Sequence, residues 1–314
     1  MDDSWPVGAA VSMGRLTVRI LGRVRSTQED LWAKRRWAQD GLGIAASSQT
    51  AGVGRGARHW ASPEGGVYVS VLAGRGMLAA DLDVLGQAGA LAALRTSEEV
   101  LKGAKLHLKW PNDLVVPGRG RRFGKLAGVL VRTEAEGERL AQGLVGIGLN
   151  VRVGVEGSRM SAGVDAPASL EGLAARSGRP WNAPRMKVLE WLVGWLAIEL
   201  EKARAEPEAV RREFAREIAG APLIARVEGL KETLRPLGVE RGGALVVRRA
   251  SGARATVSVE DAERLVWSIR PTAPARPSTR PARALPATAR KRGASGRRPR
   301  SSCARSARRA RRRK

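Results

Sequence analysis

The last 45 residues decide how much of this chain can fold. Residues 270–314 hold 17 Lys and Arg, no Asp or Glu, and a single large aliphatic side chain, Leu285. Such a segment cannot bury enough apolar surface to offset the entropy of ordering it, so it is expected to be disordered. Any fold must come from the first 269 residues. The formal net charge of +26 suggests a nucleic-acid binder, but removing the 17 charges of this tail leaves +9 on the remainder. The folded part is only moderately basic.

A hydrophobic content of 43% is sufficient for a real core. The one cysteine, Cys303, lies in the tail, so no disulfide within the chain and no cysteine metal cluster can form. Two histidines, His59 and His107, are too few for a His-rich metal site. The start, "MDDSWPVGAAVSMGRL", is acidic and lacks the apolar stretch of a secretory signal. No run approaches the roughly 18 apolar residues of a membrane span. A cytoplasmic location is expected.

"RLTVRILGRV" alternates apolar and polar residues as a strand does. In "STQEDLWAKRRWAQDG", Ser26 followed by Glu29 three residues later is a capping-box pattern and Gly41 a stop, which predicts a helix over 27–40. "GIAASS" predicts a short strand and "GVYVSVLAG" a buried one. Residues 79–103 have helical composition. "KLHLKWPNDLVV", "KLAGVLVRTE" and "RLAQGLVGIGLNV" follow as three strand-like runs. Two helices are expected before residue 220, the second starting at Pro207. Short strands with glycine turns then predict a small β-barrel. The expected class is α+β, a mixed β-sheet flanked by helices with a small C-terminal barrel. The boundaries fall at 1–220, 221–268 and a basic disordered tail over 269–314.

The loop "SSQTAGVGRGARHWASPEGG" matches a G-x-G-x-x-G/A pattern through Gly52, Gly54 and Ala57. A dinucleotide fingerprint needs a helix to open inside the motif. Pro63, Gly65 and Gly66 argue against one, and a strand comes next. "RRFGKL" is not a P-loop either, since Leu126 stands where a Mg²⁺-binding hydroxyl belongs. What remains is an exposed, flexible loop that either aims Arg55 and Arg58 at an anion and ends in Trp60, or is merely solvated.

In "KWPNDL", Asn112 and Asp113 stand at a strand end, as ligand contacts or as an Asx turn. Asp113 could hold Mg²⁺, which commonly takes one or two carboxylates plus substrate phosphates. Lys125 opens an apolar run, where an ammonium must reach either water or an anion. Gly128 and the glycines of "GIGLN" leave room for a ligand against the backbone.

Taken together, "STQ", "QTAGVGRGARHW", "KWPNDL", "GKLAGVLV" and "GIGLNV" resemble the biotin protein ligases in order and approximate spacing, over about residues 15–268. The resemblance implies a class II synthetase-like catalytic core with an SH3-like C-terminal domain. It also implies ATP-dependent joining of biotin to AMP, then transfer to a lysine of a biotin carboxyl carrier protein. Lys125 would bridge the biotin carboxylate and the α-phosphate, with Arg55 assisting. Ser26, Thr27, Gln28 and Gln49 would meet biotin. Gly52, Val53, Gly54 and Arg55 would fold over it and the adenylate. Arg58, Trp60, Asn112 and Asn150 would face the nucleotide, Gly128 and Gly148 would give it room, and Asp113 would lie near Mg²⁺-bound phosphates.

This chain departs from the family's pattern. The loop usually reads G-R-G-R-x-G-R, whereas Val53 replaces the first Arg and Ala57 the last Gly. Arg132 stands where an acidic residue is common. Only 25 residues precede Ser26, so a ligase without the winged helix-turn-helix of repressor-type members is expected, with a homodimer as one oligomeric state open to it. Two alternatives stand beside this reading. One is a lipoate or octanoate ligase or transferase of the same fold. The other is a protein whose basic tail binds nucleic acid without sequence preference, against which stands a merely solvated tail.

Overall fold

Alternating and continuous apolar runs become strands β1 (Ala10–Met13), β2 (Leu16–Val24), β3 (Leu42–Gln49), β4 (Gly66–Leu72), β5 (His107–Lys109), β6 (Asp113–Pro117), β7 (Phe123–Glu136), β8 (Arg139–Asn150) and β9 (Ala166–Pro167). In this computed structural model, which describes residues 4–118, 123–152, 166–228 and 232–269, they form one mixed sheet. Its order is β1-β2-β3-β4-β8-β7-β6-β5, with β9 beside β7. β2–β3 and β7–β9 are parallel and the other pairs antiparallel. The expected disordered tail lies outside the described residues, except for Ile269.

Helices α1 (Thr27–Trp32), α2 (Asp83–Val100), α3 (Leu170–Arg176), α4 (Arg185–Ala205) and α5 (Pro207–Gly220) complete this part. None among the described residues is long and apolar enough to cross a membrane. α2 is made largely of Ala, Gly and Leu and is buried along most of its length. Gly89 explains how closely it lies on the sheet: a Cβ there would stand 2.9 Å from Val129 and 3.0 Å from Val145. Val129 and Val131 in the middle of β7 and the odd-numbered residues of β8 from Gly143 on therefore face the helices. The even-numbered ones face the other way, since side chains alternate along a strand.

Residues 223–269 form a second, antiparallel sheet of β10 (Leu223–Val227), β11 (Thr233–Val239), β12 (Leu245–Arg248), β13 (Arg254–Val257) and β14 (Leu265–Ile269), in the order β13-β12-β11-β10-β14. Phe214 and Ile218 of α5 share one core with Leu234, Leu245, Val247 and Leu265 of this sheet. A charged seam adds to the join. Buried Arg211 donates to Asp81 (3.2 Å) and to Asp83 (3.0 and 3.1 Å), and Arg241, in the β11–β12 turn, donates to Asp81 at 2.9 and 3.1 Å.

The helix expected over 27–40 stops at Trp32. Its start is as read: the Ser26 hydroxyl accepts from the Glu29 amide at 3.4 Å. Beyond Trp32 the chain continues in turns, with Lys34 N bonded to Leu31 O and Arg35 N to Trp32 O at 3.0 and 3.2 Å, and Arg75 Nη2 donates to the carbonyls of Arg35 and Ala38 at 3.3 and 3.2 Å. Trp32 meanwhile packs with Leu31, Leu72 and Leu144. Short β1, α3 and β14 were not among the expected elements, and "KLHLKWPNDLVV" is two strands, β5 and β6, joined through a turn with a cis Trp110–Pro111 bond.

Candidate active site

The sheet face opposite α2 carries a cavity of about 340 Å³. Every candidate site residue named from the sequence lines it except Gly52; Arg132, which marks a departure, lies outside it. Gly52 sits where a Cβ would stand 2.5 Å from the Trp60 carbonyl and 2.6 Å from Ser62 Oγ, so it lets two chain segments cross. Arg132 pairs with Glu29 at 3.3 Å and lies over the Trp32 ring.

Lys125 reaches the cavity because β7 is irregular. Residues 114 and 115 of β6 pair with 127 and 125 of β7, so Leu126 is one extra residue. The bulge reverses the alternation. Leu126 and Ala127 both enter the core, and Lys125 joins Gly128 on the cavity face. Its Nζ lies 2.7 Å from Asp113 Oδ1 and 5.0 Å from the Trp60 ring centre. Lys109 Nζ lies 3.4 Å from the other oxygen of Asp113. Burial alone would raise the Asp113 carboxyl, but the ammonium of Lys125, then that of Lys109, hold it below the usual carboxylate range.

Asp113 is thus the counter-ion of two lysines. Both of its oxygens face ammonium groups, and the described residues hold no cluster of three or more His, Cys, Asp or Glu that could take a metal. In the chain without substrates that carboxylate is therefore engaged by ammonium groups.

One end of the cavity is a polar network anchored at the start of α1. Gln49 Oε1 accepts from the amide and hydroxyl of Thr27 at 2.8 and 3.1 Å, and Gln49 Nε2 donates to Ser62 at 2.8 Å. The Thr27 hydroxyl also meets Ser70 at 2.9 Å. Gln28 Nε2 donates to the Leu130 carbonyl at 2.8 Å, and Gly146 leaves it room: a Cβ there would stand 2.2 Å from that nitrogen.

The glycine loop covers the other end as an arm. Trp60 N donates to Gly52 O at 2.8 Å, Gly54 N to Arg58 O at 2.7 Å, and Val53 bridges to His59. A short 3₁₀ turn, Arg55–Ala57, forms the tip. Trp60, expected to be exposed, is half-buried on the floor. Cβ atoms at Gly128 and Gly148 would stand 2.9 and 2.5 Å from its indole. The room those glycines leave is taken here by Trp60 itself. Arg55 Nη1 and Trp60 Nε1 are buried without hydrogen-bond partners among the described residues. Burial pulls the Arg55 guanidinium down, opposed by Glu263. Both residues line the same cavity as Lys125, and an unmet buried donor favours an acceptor from outside the protein. Asn112 and Asn150 instead brace the backbone, donating to Val129 O at 2.6 Å and Lys125 O at 3.2 Å.

Sequence reasoning did not single out Lys109, Ser70 or Glu263. Lys109 stood within a quoted motif and was legible; nothing local marks the other two.

The sequence profile of the Biotin/lipoate A/B protein ligase family matches residues 21–150. A Bacillus subtilis protein named bifunctional ligase/repressor BirA is 35% identical over 115 residues, which is 36% of this chain and 34% of that protein. The match therefore spans about a third of the length of that relative. The biotin--[acetyl-CoA-carboxylase] ligase of Mycobacterium tuberculosis is 31% identical over 202 residues, covering 59% of this chain and 68% of that one. Among solved structures, a biotin protein ligase from Aquifex aeolicus in complex with biotin and ATP superposes with a TM-score of 0.56 at 24% identity, over 80% of this chain and 98% of that chain, which establishes likeness of fold.

Proposed function

Because this chain belongs to the biotin protein ligases of the biotin/lipoate A/B protein ligase family, we propose that it activates biotin with ATP and passes the biotinyl group to a lysine of a biotin carboxyl carrier protein. The observation that carries this reading is Lys125: an ammonium on the cavity face, held by Asp113 at 2.7 Å, between a polar network and an arm bearing arginines.

The chemistry follows from charge. A biotin carboxylate oxygen attacks the α-phosphorus of ATP, forming biotinyl-5′-AMP and releasing pyrophosphate. Two anions must meet, so cationic donors are needed where negative charge gathers. An ammonium has three donors. The ion pair with Asp113 holds the ammonium in place at 2.7 Å, and its donors are then available to the carboxylate and the α-phosphate. Ser26, Thr27, Gln28 and Gln49 match a ureido ring, which both donates and accepts hydrogen bonds. Arg55 Nη1 supplies a further cationic donor, and Arg58, Trp60, Asn112 and Asn150 border the nucleotide. In the second step the amine of the acceptor lysine attacks the acyl carbon and AMP leaves. The arm then serves as a lid that keeps water from the mixed anhydride. The second sheet is read as the SH3-like domain of such ligases.

The test is ATP-dependent incorporation of labelled biotin into an acceptor domain, with labelled lipoate in parallel. Incorporation of lipoate and refusal of biotin would move the chain to the other branch of the family. Val53 leaves the arm with one cation fewer than the pattern, so leakage of the adenylate is expected. Val53→Arg should slow release of biotinyl-5′-AMP by about tenfold, the worth of one hydrogen bond to a charged group. Equal release rates in a trapping assay would show that position 53 does not touch the intermediate.

A further inference from the structure

We infer that Glu263, on the second sheet's side of the molecule, is a positioning residue of the active site. This rests on the ligase reading above for its consequence, though not for its geometry. Glu263 lies in the 3₁₀ turn Glu260–Arg264 that leads into β14. Its Oε1 accepts from Arg58 Nη2 at 3.0 Å and stands 3.8 Å from Arg55 Nη2. Between those arginines, Gly56 has a φ of +63°, and a Cβ there would stand 2.9 Å from the same oxygen. The tip of the arm is shaped around this carboxylate.

Glu263 does not compete with substrate. Its carboxylate attracts the Nη2 side of Arg55 as an ion pair at 3.8 Å, whereas Nη1 lies buried without a partner among the described residues and Arg55 lines the cavity. A guanidinium fork is rigid and planar, so fixing one nitrogen fixes the direction of the other. Glu263 therefore holds the arm down and presents Nη1 to the triphosphate. The second sheet contributes to the site through this carboxylate, and through Gly243 in the β11–β12 turn, whose carbonyl accepts from Trp110 Nε1 at 2.9 Å.

The experiment reads amide exchange of residues 54–58 in the ligand-free full chain, for native protein, Glu263→Gln, Arg58→Gln and the double variant. Half-exposed ion pairs are weak, so Glu263→Gln should speed exchange about threefold. The effects should be less than additive in the double variant, because both substitutions remove the Arg58–Glu263 contact, while Arg58→Gln alone also loses the Nε bond to Arg55 O at 3.0 Å and Glu263→Gln alone the approach to Arg55. Kinetically, Glu263→Gln should raise the KM for ATP by a similar factor and leave kcat for adenylate formation nearly unchanged. Unchanged exchange, or additive effects in the double variant, would overturn the latch. Faster exchange with an unaltered KM would overturn its service to ATP. A native protein that forms no adenylate would instead defeat the ligase reading, and the exchange result would still decide the latch.

Discussion

Lys125→Ala should form biotinyl-5′-AMP about 10²–10³-fold more slowly than native protein, the range seen when one preorganised donor to a developing charge is removed. The substitution takes away the cation held against Asp113 at 2.7 Å on the cavity floor. The arm keeps its arginines and the polar network at α1 is untouched, so biotin should still bind. The loss belongs in the chemical step. Single-turnover release of pyrophosphate, measured at saturating biotin and ATP, separates the two. Lys125→Arg gives a second reading. It keeps the charge, but a guanidinium is larger and its donors are fixed in a plane, so it should recover only part of the rate. A Lys125→Ala protein that stays folded and forms the adenylate within a few-fold of the native rate would remove Lys125 from the mechanism.

Why that residue was legible, and why its surroundings were not, is a matter of range. Lys125 and its neighbours were readable because glycines and a lysine at a strand's start carry local meaning. That Lys125 faces the cavity was not readable. It depends on the extra residue Leu126 in β7, which shows only once β6 is paired. The start of α1 was written in Ser26 and Glu29, but its end was not, since the turns that follow Trp32 are held in part by Arg75, 40 positions from the Arg35 carbonyl it meets. The room at Gly128 and Gly148 was legible as room, not as the seat of Trp60. Asp113 read as a carboxylate at a strand end, hence a metal ligand. Only the fold brings Lys109 and Lys125 to its two oxygens. Glu263, 205 residues beyond Arg58, carries no local mark at all.

Those two lysines make the fold sensitive to loss of the Asp113 carboxylate. Its side chain is 11% exposed, and those of Lys109 and Lys125 are 14% and 18% exposed. Removing the carboxylate leaves two like charges close together with no counter-ion, and breaking a buried pair in this way typically costs about 3–5 kcal/mol. Asp113→Asn keeps the shape and isolates the charge. The effect should depend on pH in a definite direction. The carboxyl is held below its ordinary value of 3.8 in the folded protein and returns to that value on unfolding. Its contribution is therefore fully present above the unfolded pKa and is lost as pH falls toward and through the folded one. Urea unfolding of native protein and Asp113→Asn should differ most near neutrality, and the difference should shrink in steps below pH 4. A difference that stays constant across that range would mean that Asp113 stabilises the fold through shape and hydrogen bonding rather than charge. Lys125 would then need some other restraint to aim it at the substrates.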